Sequence, residues 1–214
     1  TRPDKITVPC EIIRQSLDDK NFDALDQEIA RANSILVGPG LGRVKKTDKI
    51  VQHLLKISKP LVIDADALFS LAKYPSWKLP SSCILTPHKQ EMKRLLGLET
   101  KEEIDWLSLC QNYVEEKQVT LVLKGAPTFI FMSGHLPIII TQGDPALATA
   151  GSGDVLTGVI TALLCHRLTP RYAAALGCFI HAVAGKKAAE NLTSYSVIAS
   201  DLLKFLSKAL EYVT

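Results

Sequence analysis

The chain has 214 residues, and 25 Lys and Arg against 22 Asp and Glu leave a formal net charge of only +3. Hydrophobic residues make up 47% and charged residues 22%, which excludes disorder, collagen and coiled coil. The length suits one sizeable domain, residues 1–214, able to bury about 70% of its unfolded surface without disulfides or a structural metal. The basic excess is small, and the pairs Lys45-Lys46 and Lys186-Lys187 are too slight a cluster to predict nucleic-acid binding. Cys10, Cys83, Cys110, Cys165 and Cys178 are odd in number and form no CxxC. Reduced thiols in a cytoplasmic protein are therefore expected, not a disulfide framework or a zinc site. The opening TRPDKITVP leads into no apolar core of a signal peptide. No apolar run is long enough to span a bilayer, the longest being Val155 to Cys165.

Short apolar runs alternate with longer amphipathic ones. Ser34 to Val37 reads as a strand ending in GPGLG, and Lys46 to Ile57 as a helix with Ile50, Val51, Leu54, Leu55 and Ile57 on one side. Pro60 to Asp64 is a second strand, Ala67 to Lys73 a short helix, and Cys83 to Thr86 a third strand stopped by Pro87. Helices follow over Lys89 to Leu96, closed by Gly97, and over Glu102 to Lys117. Val119 to Leu123 is a fourth strand. Thr128 to Met132 and Leu136 to Thr141 flank Ser133-Gly134-His135 as a hairpin. After the small-residue loop GDPALATAGSGD, helical patterns cover Val155 to Cys165, Arg171 to Asn191 and Ile198 to Val213. The strands are apolar on both sides and alternate with helices. This predicts an α/β fold, a mostly parallel central sheet with helices on both faces.

In such a sheet the ligand crevice lies beyond the carboxyl ends of the strands. Those ends carry Gly38-Pro39-Gly40-Leu41-Gly42, Asp64-Ala65-Asp66, Thr86-Pro87-His88 and Lys124-Gly125. GPGLG allows close backbone approach to a ligand, or is simply a tight turn; it matches neither GxGxxG nor a P-loop. Asp64 and Asp66 suit Mg²⁺ held through water or a sugar hydroxyl, with Asp66 equally suited to cap the helix that follows. His88 either donates to a substrate oxygen or caps its helix. Lys124 is placed for a nucleotide phosphate, or is an exposed strand-end lysine. The strongest signal is the small-residue run Ala148 to Gly153 before a helix. Its amides can converge on an anion. Asp154 then sits in the first helical turn, where an acidic residue is also favourable without any chemistry. A carboxylate beside a phosphate site does suit acid–base work on a hydroxyl that gains or loses a phosphoryl group. His53, His135, His166 and His181 lack metal-ligand spacing, Trp77 and Trp106 read as packing anchors, and no GxSxG is present.

The segments GPGLG, VIDADAL, LTPHKQEMKRLLG, VLKGAPTFI and GDPALATAGSGDVLTGVITALL occur in this order. Together they resemble the NAD(P)H-hydrate dehydratase family of the ribokinase-like superfamily. AALGCFIHAVAGKKAAE and SVIASDLLKFL are similar to its closing helices, so the likeness runs from about Ile35 to Leu206. The resemblance implies a ribokinase-like fold and a cytoplasmic repair enzyme that restores NADH and NADPH from their hydrates, NADHX and NADPHX. It implies ADP or ATP as phosphoryl donor, with Mg²⁺. Residue by residue, it places Gly40, Gly42 and His88 against the hydrated nucleotide. It places Lys124, Gly125, Ala126, Pro127, Thr128 and Gly153 against the adenine nucleotide. Ala150, Gly151, Ser152 and Gly153 would form the anion hole, and Asp154 would meet the substrate hydroxyl as catalytic base. A homo-oligomer, a tetramer in the family, and a functional link to an epimerase are also implied, with no nucleic-acid or membrane partner.

The chain departs from the family pattern in three places. The loop usually reads closer to GNPGMATGGSGD, so Asp144, Ala146, Leu147 and Ala150 are changed, and Ala150 brings a Cβ where a left-handed backbone is expected. Lys89 and Gln90 stand where Pro and Gly are common. The family's leading strands and helices find no counterpart before Ile35, so the leading part of the domain is expected to be absent. Two other readings fit the same motifs: a ribokinase-like kinase for a vitamin-precursor alcohol, and a non-catalytic nucleotide-binding fragment.

Overall fold

Six short apolar runs, each bounded by Gly, Pro, Asp or a turn, form the strands of one sheet. They are β1 (Ile35–Val37), β2 (Leu61–Ile63), β3 (Cys83–Leu85), β4 (Thr120–Leu123), β5 (Thr128–Met132) and β6 (Ile138–Ile140). The computed structural model describes residues 12–13, 22–99 and 103–213; TRPDKITVP, Cys10 and the expected helix start at Glu102 lie outside them. The chain divides into two units, Thr1–Ala32 and Asn33–Thr214. In the first, α1 (Asp23–Arg31) has Asp23 and Asp26 in its first turn and Arg31 in its last, complementing the helix dipole. Leu25 and Ile29 are its only large apolar residues, too weak a pattern to predict a helix from sequence.

In the second unit the strands lie in sequence order. β1 to β4 are parallel, and β4, β5 and β6 are antiparallel. Val37, Ile63, Leu85 and Leu121 are paired in one row across the parallel part, so four strands end at one edge of the sheet. The connecting helices are α2 (Lys45–Leu54), α3 (Ala65–Lys73), α4 (Lys89–Leu95) and α5 (Trp106–Lys117). α5 begins later than expected because Asp105 caps it, accepting from the Ser108 amide at 3.1 Å. Then follow α6 (Ser152–Cys165), α7 (Pro170–Leu192) and α8 (Ala199–Leu210). Among the described residues no helix is long and apolar enough to cross a membrane.

The period-two alternation of strands sorts the core into two layers. Val62, Ile84, Val122, Ile130 and Ile140 meet Leu156, Ile160, Leu164, Ala173, Ala174, Cys178 and Ala182 from α6 and α7. Their neighbours Leu61, Ile63, Cys83, Leu85 and Leu121, all buried, point to the opposite face. Cys83, Cys110 and Cys178 are buried free thiols, and burial raises all three, Cys110 and Cys178 to about 12. They are inert packing groups.

α6 and α7 approach closely at Gly177. A methyl on Gly177 would sit 2.5 Å from Ile160 Cγ1 and 3.3 Å from Ile160 Cα. Gly177→Ala is therefore expected to destabilise the fold by about 1–3 kcal/mol, although alanine gains about 1 kcal/mol of helix propensity. Denaturant titration reads the difference, and an unchanged or raised midpoint would contradict the close approach.

Candidate active site

The carboxyl ends of β1 to β4 bring four sequence motifs together. The backbone of Asp64 donates to Val37 O, Thr86 N to Ile63 O, and Lys124 N to Pro87 O; His88 and Lys124 then pair as an isolated bridge. Lys124 is not an exposed strand-end lysine: its Nζ donates to Asp64 Oδ1 at 2.8 Å and lies 4.0 Å from Glu91 Oε2. The Asp64 side chain is only 2% exposed, so this ammonium is the counter-charge that lets a carboxylate be buried there.

Asp66 is not the helix cap. Asp64 occupies the N-cap position of α3, and Asp66 lies in its first turn. Asp66 instead pins the glycine loop, accepting from Gly42 N at 2.8 Å and Arg43 Nε at 3.1 Å. Thr47 holds the same loop through its hydroxyl, which donates to Gly42 O at 2.6 Å. Gly42 adopts φ +78° with open space where a Cβ would stand, so a left-handed turn lies bare to the crevice. The two aspartates thus serve different partners. Among the described residues no group of three His, Cys, Asp or Glu side chains could hold a metal ion. Beside the loop a shallow surface depression is lined by Arg43, Ala65, Leu68, Phe69, Glu91 and Arg94.

His88 does cap its helix. Its Nδ1 accepts from Gln90 N at 3.1 Å and Glu91 N at 3.2 Å, and Glu91 Oε2 accepts from His88 N at 2.9 Å. This reciprocal box needs no residue of a special kind at Lys89 or Gln90. With Nδ1 accepting, the neutral ring carries its hydrogen on Nε2. Gly125, Ala126, Pro127 and Thr128 form the β4–β5 turn, with a cis Ala126–Pro127 peptide and the Thr128 hydroxyl donating to Gly125 O at 2.8 Å.

α6 starts inside the small-residue run, three residues before the expected Val155, with Gly151 as N-cap at φ +84°. Ala150 does not have a positive φ, so its Cβ brings no left-handed strain. Among the described residues nothing accepts from the amides of Ala150, Gly151 and Gly153. The Ser152 amide is different: it donates to Thr149 O at 3.3 Å. A methyl on Gly153 would lie 3.4 Å from Lys124 Nζ and 3.9 Å from Asp64 Oδ2, so the helix start abuts the strand ends. Asp154 is exposed in the first turn of α6, and no described group pairs with its carboxylate.

Free amides at the start of a 14-residue helix and a lysine beside them can receive an anion, and the unpaired carboxylate in the same turn can take a proton. The NAD(P)H-hydrate dehydratase family model matches residues 3–208. The chain belongs to the NAD(P)H-hydrate dehydratase family. It is 42% identical over 191 residues to a bifunctional NAD(P)H-hydrate repair enzyme of Moorella thermoacetica, and 34% over 215 residues to one of Vibrio cholerae. The alignments cover 86% and 98% of this chain, which spans only 36% and 42% of those relatives. The ADP/ATP-dependent NAD(P)H-hydrate dehydratase of Bacillus subtilis, co-crystallised with ATP and Mg²⁺, superposes with a TM-score of 0.75 at 28% identity. That match covers 85% of this chain and 65% of the other. A hydroxyethylthiazole kinase from Pyrococcus horikoshii shares the fold, with a TM-score of 0.66 at 18% identity over 86% of this chain and 74% of its own.

The family's loop changes are absorbed by packing. Asp144 caps the 3-10 turn Pro145–Ala148, accepting from Ala146 N at 2.9 Å. The Ala146 amide, and then the Ser194 hydroxyl, hold its carboxyl below the usual range. Ala146 is buried with Ala188, Val197 and Leu202, while Leu147 occupies the space left by Gly185, where a Cβ would come within 2.4 Å. The sequence motifs did not single out Glu91, which bridges His88 and Lys124, or Arg43, which clamps Asp66. Glu91 has a readable signal, its place three residues after a capping His88. Arg43 has none.

Proposed function

We propose that this chain dehydrates hydrated NADH and NADPH, using ADP or ATP to phosphorylate the ring hydroxyl and then eliminating phosphate. The observation that carries this reading is the unpaired Asp154 carboxylate in the same helical start as three unbonded amides, with the Lys124 ammonium next to Gly153. Asp154 takes the proton of the substrate hydroxyl. The hydroxyl oxygen attacks the terminal phosphorus, and the bond to the nucleotide breaks to release AMP from ADP, or ADP from ATP. The amides of Ala150, Gly151 and Gly153 meet the negative charge of the moving phosphoryl group. Hydroxide is a poor leaving group and phosphate a good one. The ring C–O bond then breaks with loss of a neighbouring proton, which restores the double bond.

Gly40, Gly42 and His88 face the hydrated nucleotide in this reading. Lys124, the Gly125 to Thr128 turn and Gly153 hold the adenine nucleotide. Mg²⁺ keeps several waters and draws ligands from substrate phosphates, so it needs few protein carboxylates. Asp64 and Glu91 are the carboxylates beside Lys124 that would share in holding it. When bound, it neutralises charge on the nucleotide phosphates. The test supplies NADHX with ADP or ATP and follows reduced-nicotinamide absorbance and phosphate release. Recovery of both signals is expected. A stable phosphorylated product of a different alcohol, with no recovery, would favour the kinase reading.

A further inference from the structure

Behind the α6 amides lies a buried pair that the mechanism above does not use. His181 on α7 is 7% exposed, and Ser152, the first residue of α6, is 3% exposed. His181 Nε2 lies 3.0 Å from Ser152 O and 3.1 Å from Ser152 Oγ. A carbonyl oxygen only accepts, so Nε2 must carry the hydrogen. A protonated Nε2 cannot accept from the serine hydroxyl. The hydroxyl therefore accepts from the same N–H, and its own hydrogen has no described acceptor. The carbonyl held by His181 belongs to the peptide whose other end is the Gly153 amide, one of the free amides of the helix start.

We propose that His181 is a positioning residue of the α6 anion site, holding the Ser152–Gly153 peptide by its carbonyl so that the free Gly153 amide is aimed at the transferring phosphoryl group. The ring never touches substrate; it acts through Ser152. Burial, reinforced by the Lys124 charge, lowers His181 to about 4 against the pull of the Ser152 carbonyl. The imidazole thus stays neutral and adds no charge of its own. The proposal rests on the phosphoryl-transfer reading.

The test compares His181→Phe, His181→Gln and Ser152→Ala in the full chain. Calorimetry measures binding of ADP alone and of ADP with aluminium fluoride, a mimic of the phosphoryl group in flight. In His181→Phe, kcat and affinity for the fluoride complex are expected to fall about tenfold or more, with ADP affinity nearly unchanged. Glutamine, whose side-chain amide can donate to the same carbonyl, should restore most of the loss. Ser152→Ala should reproduce part of it, and the double variant should be no worse than His181→Phe alone. Parallel losses for both ligands, or no recovery with glutamine, would overturn the positioning role. If His181→Phe does not fold, His181→Leu decides: an unchanged affinity for the fluoride complex refutes the proposal. If the parent chain binds neither ligand, the phosphoryl-transfer reading fails and this role falls with it.

Discussion

Asp154→Asn is expected to lower turnover about 10²- to 10⁴-fold, the range of a lost general base, while nucleotide affinity stays within about twofold. The substitution keeps the shape of the side chain and removes only its charge and its ability to take a proton. The carboxylate is exposed and has no described partner, so no internal contact is broken. Its charge lies beside an anion site and opposes phosphate binding, so affinity has no reason to fall. Steady-state kinetics with NADHX and either nucleotide, together with calorimetry of the nucleotide alone, separate the two effects. An unchanged rate would remove Asp154 from the chemistry.

Lys124→Met should lower stability by about 3 kcal/mol, because it leaves the buried Asp64 carboxylate without its counter-charge. Adding Asp64→Asn should recover most of that loss, since neither charge then remains to be compensated. Nucleotide affinity should stay low in both variants, because the ammonium next to Gly153 is gone in each. Denaturant unfolding of the two single variants and the double variant completes the cycle. Stability unaffected by Lys124→Met would mean that water replaces the ammonium, and that the pair is no structural element.

The strands were legible because each is a short apolar run with a sharp stop. Ile35–Val37 ends at Gly38, and Cys83–Leu85 ends before Pro87. The β5–β6 hairpin was legible from Ser133-Gly134-His135 between two apolar runs, whereas the order of the strands in the sheet was not read from the sequence. The start of α6 was read three residues late because Ser152, Gly153 and Asp154 carry no apolar period; the left-handed Gly151 is what marks it. Pairings between distant segments were not legible. Lys124 and Asp64 are 60 residues apart, and Ser152 and His181 are 29. Both depend on strand register and helix packing, which residue spacing alone does not encode. His181 gave no signal beyond its lack of metal-ligand spacing for the same reason. Asp66 was misplaced because a loop some twenty residues upstream, at Gly42 and Arg43, competes for its oxygens.

The sequential strand order also bears on how the protein emerges from the ribosome. Each new strand can dock on the one made just before it, which keeps loop closures short. The layer that seals Val62, Ile84 and Val122 comes from α6 and α7, which follow all six strands in the sequence. Until those helices have been translated, the nascent sheet presents a bare oily face, a natural target for chaperones and a liability for aggregation. The same late segment carries the Ala150 to Gly153 turn, so a prematurely terminated chain would lack both its seal and its anion site.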